Sequence, residues 1–278
     1  MPSQNKPGVS YDPTANPSLY RPEIHPTAVI HPSAQLPSGM AIGPLCVIGE
    51  HVKFTGPCRL HERVSVHGRT EIGPGNEFFQ GAVIGTIPQD LKYCGELTEL
   101  KIGTSNIFRE YVTVHLGTVG GGGVTSIGDH NLLMAYAHIA HDCHIQNHIV
   151  LANNVGLSGH VTIEDWVVVG GMTGVIQFGR IGRHAHVGGQ LRITKDVAPY
   201  CRVAGEDRVH IIGANSIGLE RRGFSKEAIE TLKAAIRTLV SPKHTTASAL
   251  EELAQTASCD EVRILIEFVR ASRIGIHK

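Results

Sequence analysis

The chain has 278 residues, is 41% hydrophobic, and balances 25 Lys plus Arg against 25 Asp plus Glu. The zero net charge argues against a nucleic-acid-binding protein, and no stretch approaches the ~20 successive apolar residues of a membrane span. Six scattered cysteines without a CxxC pair, and the lack of a signal peptide, predict reduced thiols and a cytoplasmic location.

Residues 1–22 are polar and rich in proline, and they are expected to form a loose extension. From Ile24 to Ile84 a branched aliphatic residue or Phe recurs every six residues. The register returns from Ile102 to Val114 and runs unbroken from Ile127 to Ile193. A period of six matches neither the helical period nor simple alternation. It predicts a parallel β-helix over 23–215, in which three short strands make one triangular coil and the aliphatic side chains stack inside.

Glycine often follows the inward aliphatic residue, which suggests that glycine forms the tight corners of the coil. Two insertions interrupt the repeat, and we expect loops over 85–101 and 115–126. The second contains four successive glycines, Gly120 to Gly123. Long insertions in a strict repeat usually carry function, and we expect this of the first loop. Tolerated surface variation is the alternative.

Helical spacing replaces the period of six beyond Asn215, which predicts a C-terminal helical domain over 216–278. Ser225 can cap a first helix, and Ser241-Pro242 can end it. Ser248 with Glu251 has the spacing of a capping box. Asp260 can begin a further helix.

Histidine is abundant, with 17 in the chain, and is concentrated in the stretch 137–144. Ile139 and Ile145 hold inward positions there, so the histidines are expected on the outside of the prism. His160 comes nineteen residues after His141, about one coil further, and is expected to lie above it. Any single histidine on such a face could simply be solvated. A shared outer edge is expected for four of them: His138, His141, His144 and His160.

Several segments together resemble the UDP-N-acetylglucosamine 3-O-acyltransferase family of hexapeptide-repeat transferases. The resemblance extends from about residue 22 to the C-terminus. It implies a left-handed parallel β-helix, an exception to the usual right-handed crossover. It also implies a homotrimer with the active site between subunits. The matching segments are Asn131-Leu132-Leu133-Met134, 137–143, Leu151-Ala152-Asn153-Asn154, Gly159-His160-Val161, Gly170-Gly171-Met172-Thr173, Gln89-Asp90-Leu91-Lys92-Tyr93 and Arg221-Arg222-Gly223-Phe224-Ser225.

The resemblance implies transfer of an (R)-3-hydroxyacyl group from acyl carrier protein to the 3-hydroxyl of UDP-N-acetylglucosamine, the first step of lipid A biosynthesis. The donor's phosphopantetheine carries the acyl group, and no separate cofactor or metal is expected. His141 matches the catalytic base, and an imidazole with an ordinary pKa near ~6.5 suits proton removal at neutral pH. The Gly159 N–H matches the oxyanion donor. Asp142 is a third catalytic candidate, although neighbours on an extended strand point opposite ways.

By the same resemblance, five residues correspond to substrate-contacting positions: Asp90, Lys92, His138, His160 and Gln177. Arg221 and Arg222 correspond to residues that meet the nucleotide or the carrier protein; a solvated helix start is the alternative. Gly189 matches the end of the acyl groove, which favours a long acyl chain, although an ordinary corner glycine is equally compatible. Ile176 replaces a histidine of the family and puts one substrate contact in doubt.

Three other functions remain open. His138, His141 and His144 could be zinc ligands of a γ-type carbonic anhydrase, whose catalytic zinc binds three histidines and water. The later UDP-3-O-acylglucosamine N-acyltransferase shares the repeat but usually adds a folded N-terminal domain, whereas the hexads here begin by Ile24. A non-catalytic scaffold is a third alternative. For the acyl transfer itself, an acceptor sugar with a 3-amino group in place of the 3-hydroxyl would give an amide and not an ester.

Overall fold

The computed structural model describes residues 22–205, 208–257 and 259–278. The predicted N-terminal extension lies outside these residues except for Pro22. Short parallel strands coil into a triangular prism, and four helices of the described chain follow it. None of the helices in these ranges is long and apolar enough to span a bilayer.

Each side of the prism is one sheet, and successive strands along the chain pass from sheet to sheet, except the last two, which form an antiparallel pair within one sheet. Sheet 1 contains β1 (Val29–Ile30), β3 (Val47–Ile48), β6 (Ser65–Val66), β9 (Val83–Thr86), β12 (Thr113–His115), β15 (His138–Ile139), β18 (Gly156–Leu157), β21 (Gly174–Val175) and β24 (Arg192–Ile193). Sheet 2 contains β4 (Lys53–Phe54), β7 (Arg69–Ile72), β10 (Glu99–Ile102), β13 (Val124–Ile127), β16 (His144–Ile145), β19 (Thr162–Ile163) and β22 (Arg180–Ile181). Sheet 3 contains β2 (Ala41–Ile42), β5 (Arg59–Leu60), β8 (Glu77–Phe78), β11 (Ile107–Phe108), β14 (Leu132–Leu133), β17 (Val150–Leu151), β20 (Val168–Val169), β23 (His186–Val187), β25 (Cys201–Ala204) and β26 (His210–Ala214).

The second residue of most strands points into the prism, as the six-residue period predicts. Ile139, Leu157, Val175 and Ile193 are buried and stack in this order along sheet 1. Burying a branched aliphatic side chain stabilises the fold by about 1.5–3 kcal/mol. The repeat therefore builds one continuous core from residues that are distant in sequence.

The corners differ from the prediction, because glycine does not make most of them. The left-handed backbone conformation falls three residues after the inward aliphatic and is held by ordinary residues, including Asp142 (φ +59°), His160 (φ +62°) and Phe178 (φ +65°). The glycine directly after the aliphatic is required by crowding between coils. A Cβ on Gly73 would lie 2.5 Å from the Gly103 carbonyl oxygen of the next coil.

The two loops are shorter than predicted. β9 extends to Thr86 and β10 begins at Glu99, so the first loop spans 87–98. β12 extends to His115 and β13 begins at Val124, so the second spans 116–123 and includes a 3₁₀ turn at Val119–Gly121. β10 pairs in parallel with both β7 and β13, so residues 99–101 and 124–126, which were predicted as loop, belong to the sheet.

The helices are α1 (Ser216–Arg221), α2 (Lys226–Val240), α3 (Thr246–Thr256) and α4 (Asp260–Arg270). The Ser225 hydroxyl accepts a hydrogen bond from the Ala228 N–H, which confirms the predicted cap of α2. The capping box at Ser248 is wrong, because Thr245 caps α3 three residues earlier. The short helix α1 is an addition to the helices predicted from the sequence.

Candidate active site

His141 and Asp142 lie at the corner that joins β15 to β16, on the edge between sheets 1 and 2. We call the three successive corners 140–143, 158–161 and 176–179 the catalytic edge. The left-handed backbone of Asp142 turns its carboxylate back toward its neighbour, and its Oδ2 accepts a hydrogen bond from His141 Nδ1 at 2.7 Å. The expected divergence of the two side chains is wrong, because they occupy a turn and not an extended strand. Since Nδ1 carries the hydrogen, Nε2 is free to accept a proton.

Asp142 is almost completely buried, with 1% of its surface exposed, and its polar groups are paired. Thr118 donates its N–H to Oδ1 at 2.7 Å and its hydroxyl to Oδ2 at 2.6 Å. The Asp142 N–H donates to the Thr125 hydroxyl at 2.8 Å. Both threonines belong to the coil below, so contacts between coils hold the carboxylate in place.

The next coil supplies Gly159 and His160. A Cβ on Gly159 would lie 2.5 Å from His141 Cε1, so only glycine lets the coil approach the imidazole this closely. The Gly159 N–H donates no hydrogen bond within the described ranges. His160 meets His141 edge-on with ring centroids 5.2 Å apart, as expected from the spacing, and stacks on Phe178 at 4.4 Å. Burial lowers the pKa of His160, although the nearby Asp142 carboxylate partly opposes this.

Two further histidines lie beside the edge on sheet 1. His138 Nδ1 hydrogen-bonds the Thr113 hydroxyl at 2.8 Å, and its ring meets His115 edge-on at 5.2 Å. His115 is buried and bonds the Ile87 carbonyl through Nδ1 at 2.7 Å. Burial lowers the pKa of both, so they are neutral at physiological pH. His115 is not among the predicted site residues; its position at the end of a strand before an insertion was the available signal.

The first loop brings Asp90 toward the site. Asp90 Oδ1 accepts the Lys92 N–H at 3.0 Å, and the Lys92 ammonium lies 3.6 Å from Oδ2. The Lys92 N–H lowers the pKa of Asp90 most, and a positive charge on His141 would lower it further, so the carboxylate is within electrostatic range of the imidazole. The Lys92 side chain itself is largely exposed.

The other predicted site residues do not contact His141 within the chain. Gln177 is exposed on the catalytic edge, one coil beyond Gly159, next to the exposed Ile176. Gly189 lies on a different edge, between sheets 3 and 1, beside Gly171. Arg221 ends α1, and the Arg222 guanidinium lies 5.2 Å from the Trp166 ring, on the edge between sheets 2 and 3. One chain therefore keeps Gly189, Arg221 and Arg222 away from His141, whereas Gln177 shares its edge two coils further on.

The expectation of four histidines on one edge is wrong for His138 and His144, which lie on the faces of sheets 1 and 2. His144 is exposed on sheet 2, where Nδ1 bonds the Ser126 hydroxyl at 2.9 Å. His138, His141 and His144 consequently point from three different surfaces and do not converge as zinc ligands. In the described part of the chain, the group with metal-binding spacing is His141, Asp142 and His160. Its carboxylate is already occupied by the bonds from Thr118 and His141.

Comparison with known proteins places this geometry in a family. The model of the UDP-N-acetylglucosamine O-acyltransferase family's domain 2 matches residues 196–277, and the bacterial transferase hexapeptide model matches 125–159. The chain is 44% identical over 249 residues to the acyl-[acyl-carrier-protein]–UDP-N-acetylglucosamine O-acyltransferase of Stenotrophomonas maltophilia, covering 89% of this chain and 95% of that one. The Myxococcus xanthus enzyme of the same name is 45% identical over 255 residues, covering 91% and 98%.

The chain belongs to the UDP-N-acetylglucosamine O-acyltransferase family. Solved structures agree: the family's enzyme from Acinetobacter baumannii superposes with a TM-score of 0.88 at 43% identity, covering 92% of this chain and 99% of that one. The Bacteroides fragilis enzyme gives 0.89 at 36% identity, covering 92% and 100%. These matches confirm the predicted left-handed β-helix and identify the protein as an acyltransferase of this family. The carbonic anhydrase and N-acyltransferase alternatives are not favoured.

Proposed function

We propose that His141 is the general base for transfer of an (R)-3-hydroxyacyl chain from acyl carrier protein to the 3-hydroxyl of UDP-N-acetylglucosamine, the first step of lipid A biosynthesis. One observation carries the assignment: the 2.7 Å bond from Nδ1 to Asp142 leaves Nε2 of an almost buried imidazole free to take a proton. General-base assistance of this kind is worth about 10²- to 10⁴-fold in rate.

The reaction balances with this one base. His141 Nε2 removes the proton of the sugar hydroxyl as its oxygen attacks the thioester carbonyl. The tetrahedral intermediate carries negative charge on the former carbonyl oxygen, and the Gly159 N–H is a donor beside the imidazole without a partner in the described ranges. When the C–S bond breaks, the phosphopantetheine sulfur receives the proton held by His141.

We infer that Asp90, Lys92, His138 and His160 contact the sugar or the phosphates. The His160 ring meets that of His141, His138 lies on the strand that leads to it, and Asp90 and Lys92 are within electrostatic range of this pair. We infer that Gln177, on the catalytic edge two coils beyond His141, also contacts a substrate. Gly189, Arg221 and Arg222 lie away from this edge within the chain, so we assign their contacts to a site shared between subunits of a homotrimer. The acyl carrier protein delivers the donor thioester, so no further cofactor is required. This substrate, together with the free thiols, supports a cytoplasmic location.

The outward face of sheet 1 offers a path for the acyl chain. Its outward positions next to His138 are the half-buried Gly156 and the exposed Gly174, and a Cβ on either would meet nothing within 4 Å. Gly156 and Gly174 therefore form a strip without side chains that is two coils wide, roughly 10 Å. It leads from the catalytic edge toward the coil that carries Gly189, consistent with a long acyl chain.

The test is an assay of purified protein with (R)-3-hydroxyacyl carrier proteins of graded chain length and with UDP-N-acetylglucosamine or its 3-amino analogue. We expect an ester with the first acceptor. His141→Gln should lower kcat by about 10²- to 10⁴-fold, with an unchanged circular dichroism spectrum. His144→Gln, an exposed histidine on sheet 2, is the matched control and should retain wild-type turnover.

Formation of neither ester nor amide from any donor would contradict the proposed function. Wild-type turnover by His141→Gln would contradict the assignment of the base alone. An amide formed in preference to the ester would move the acceptor to the 3-amino sugar.

A further inference from the structure

The glycine-rich loop 116–123 takes no part in the chemistry above, yet it lies directly on the Asp142 carboxylate. Thr118 donates to both carboxylate oxygens, through its N–H at 2.7 Å and its hydroxyl at 2.6 Å. Thr118 in turn is held by the loop, because its carbonyl accepts the N–H groups of Gly121 at 3.0 Å and Gly123 at 2.8 Å. The loop thus forms a closed turn whose first residue binds the carboxylate.

The same turn packs its backbone against Asp142 at Gly121. A Cβ added at Gly121 would overlap the Asp142 carboxylate, whereas a Cβ added at the neighbouring Gly120 would meet nothing within 4 Å. Neither glycine has a positive φ, so the two differ in contact with Asp142 and not in backbone conformation. Glycine at 121 is therefore required by the carboxylate.

Without the loop, Asp142 Oδ2 would have two competing partners. His141 Nδ1 lies at 2.7 Å and His160 Nε2 at 3.7 Å from that oxygen. The threonine hydroxyl and N–H fix the plane of the carboxylate so that it faces His141 Nδ1. Orientation of this kind decides whether Nε2 or Nδ1 of a neutral imidazole carries the proton.

We propose that Thr118 and Gly121 are positioning residues that clamp Asp142 and thereby hold His141 in the tautomer with Nε2 free. The catalytic part of this proposal rests on the proposed role of His141 as base. The clamp itself rests on the hydrogen bonds and on the fit at Gly121.

Thr118→Val keeps the N–H contact and removes only the hydroxyl donor. We expect kcat to fall about tenfold or more, as for loss of one hydrogen bond to a charged group. The KM values for donor and sugar should change by less than about twofold, because the substitution acts on the buried Asp142 carboxylate and not on a residue assigned to substrate contact. Thr118→Ser restores the donor and should recover most of the lost kcat.

Gly121→Ala and Gly120→Ala form a matched pair within one 3₁₀ turn. We expect Gly121→Ala to lower kcat at least as much as Thr118→Val, and Gly120→Ala to retain wild-type kcat. Any one of three results would overturn the proposal. These are equal activity of the two alanine variants, an unchanged kcat in Thr118→Val, and failure of Thr118→Ser to recover activity.

A readout without turnover separates this proposal from the proposed function. In ¹⁵N-histidine-labelled protein, the ring signals of His141 can be assigned by their loss in His141→Gln. We expect the Nδ1–H tautomer in the wild type and in Gly120→Ala, and a larger Nε2–H fraction in Thr118→Val and Gly121→Ala. The same tautomer in all four proteins would contradict the clamp, even if the enzyme is active. An inactive wild type in which the four proteins show the expected tautomers would contradict only the proposed function.

Discussion

At the scale of single residues, the His141–Asp142 pair depends on one backbone angle. A non-glycine residue in the left-handed region costs about 1–2 kcal/mol and is uncommon. Here, however, Asp142 shares this conformation with His160 and Phe178, the equivalent corner residues of the next coils. The conformation is therefore a general property of the corners, and the site uses it by having an acidic residue there directly after a histidine.

His184 offers a test of pH-dependent stability. Its ring stacks between Trp166 and Tyr200, and burial, followed by the charges of Arg222 and Arg183, lowers its pKa to about 4. The unfolded chain then binds more protons than the native state below the ordinary histidine pKa of ~6.5. The contribution of neutral His184 to the free energy of unfolding is therefore complete above that pH. It is lost as the pH falls toward 4, at up to about 1.4 kcal/mol per pH unit.

Thermal unfolding of the wild type and His184→Gln between pH 7.5 and 5 measures this effect. Glutamine does not titrate, so the Tm of the variant should fall less over this range than that of the wild type. Parallel Tm curves for the two proteins would show that His184 is not held neutral by the fold.

At the scale of elements, each coil contributes one short strand to each sheet, and each strand has one outward residue. The size of that residue decides whether the face has room for a ligand. On sheet 1 the outward series passes from His138 through Gly156 and Gly174 to Arg192. On sheet 2 the coils of the same height present His144, Thr162 and Arg180. Only the first face lacks side chains beside the catalytic edge, within the coils compared.

Substitution of Gly174 tests the assigned acyl path. A leucine side chain at this position would stand in the strip, so we expect Gly174→Leu to lower kcat/KM for long-chain donors far more than for short-chain donors. Thr162→Leu places the same side chain at the corresponding outward position of sheet 2 and should leave the chain-length profile unchanged. An unaltered profile in Gly174→Leu would show that the acyl chain runs elsewhere.

At the scale of the whole molecule, the functional groups are divided between separate edges of the prism. His141 lies between sheets 1 and 2, whereas Arg222 packs over Trp166 between sheets 2 and 3. The prism is a stack of rigid coils, so no small movement brings these edges together. If both residues serve one substrate molecule, a second copy of the chain must supply one of them, as cyclic oligomers allow.

Mixed assembly tests this arrangement. His141→Gln and Arg222→Ala homo-oligomers should each have low activity. Coexpression in equal amounts should restore about a quarter of the wild-type sites, because a shared site is intact when one subunit has His141 (one half) and its neighbour has Arg222 (one half). Activity no higher than that of the two parents would mean that each chain builds its site alone.

Much of the architecture follows from local pattern. The period of six determines which side chain of each strand is buried, Ser225 marks the start of α2, and the spacing of His141 and His160 places them on adjacent coils. The roles of the loop 116–123 and of His115 did not follow from it. Thr118 reaches Asp142 across twenty-four residues, and His115 reaches Ile87 across twenty-eight, through the stacking of coils. A periodic sequence specifies the direction of each side chain, but only the folded stack decides which corners touch, since corner conformation and insertion path depend on contacts between coils.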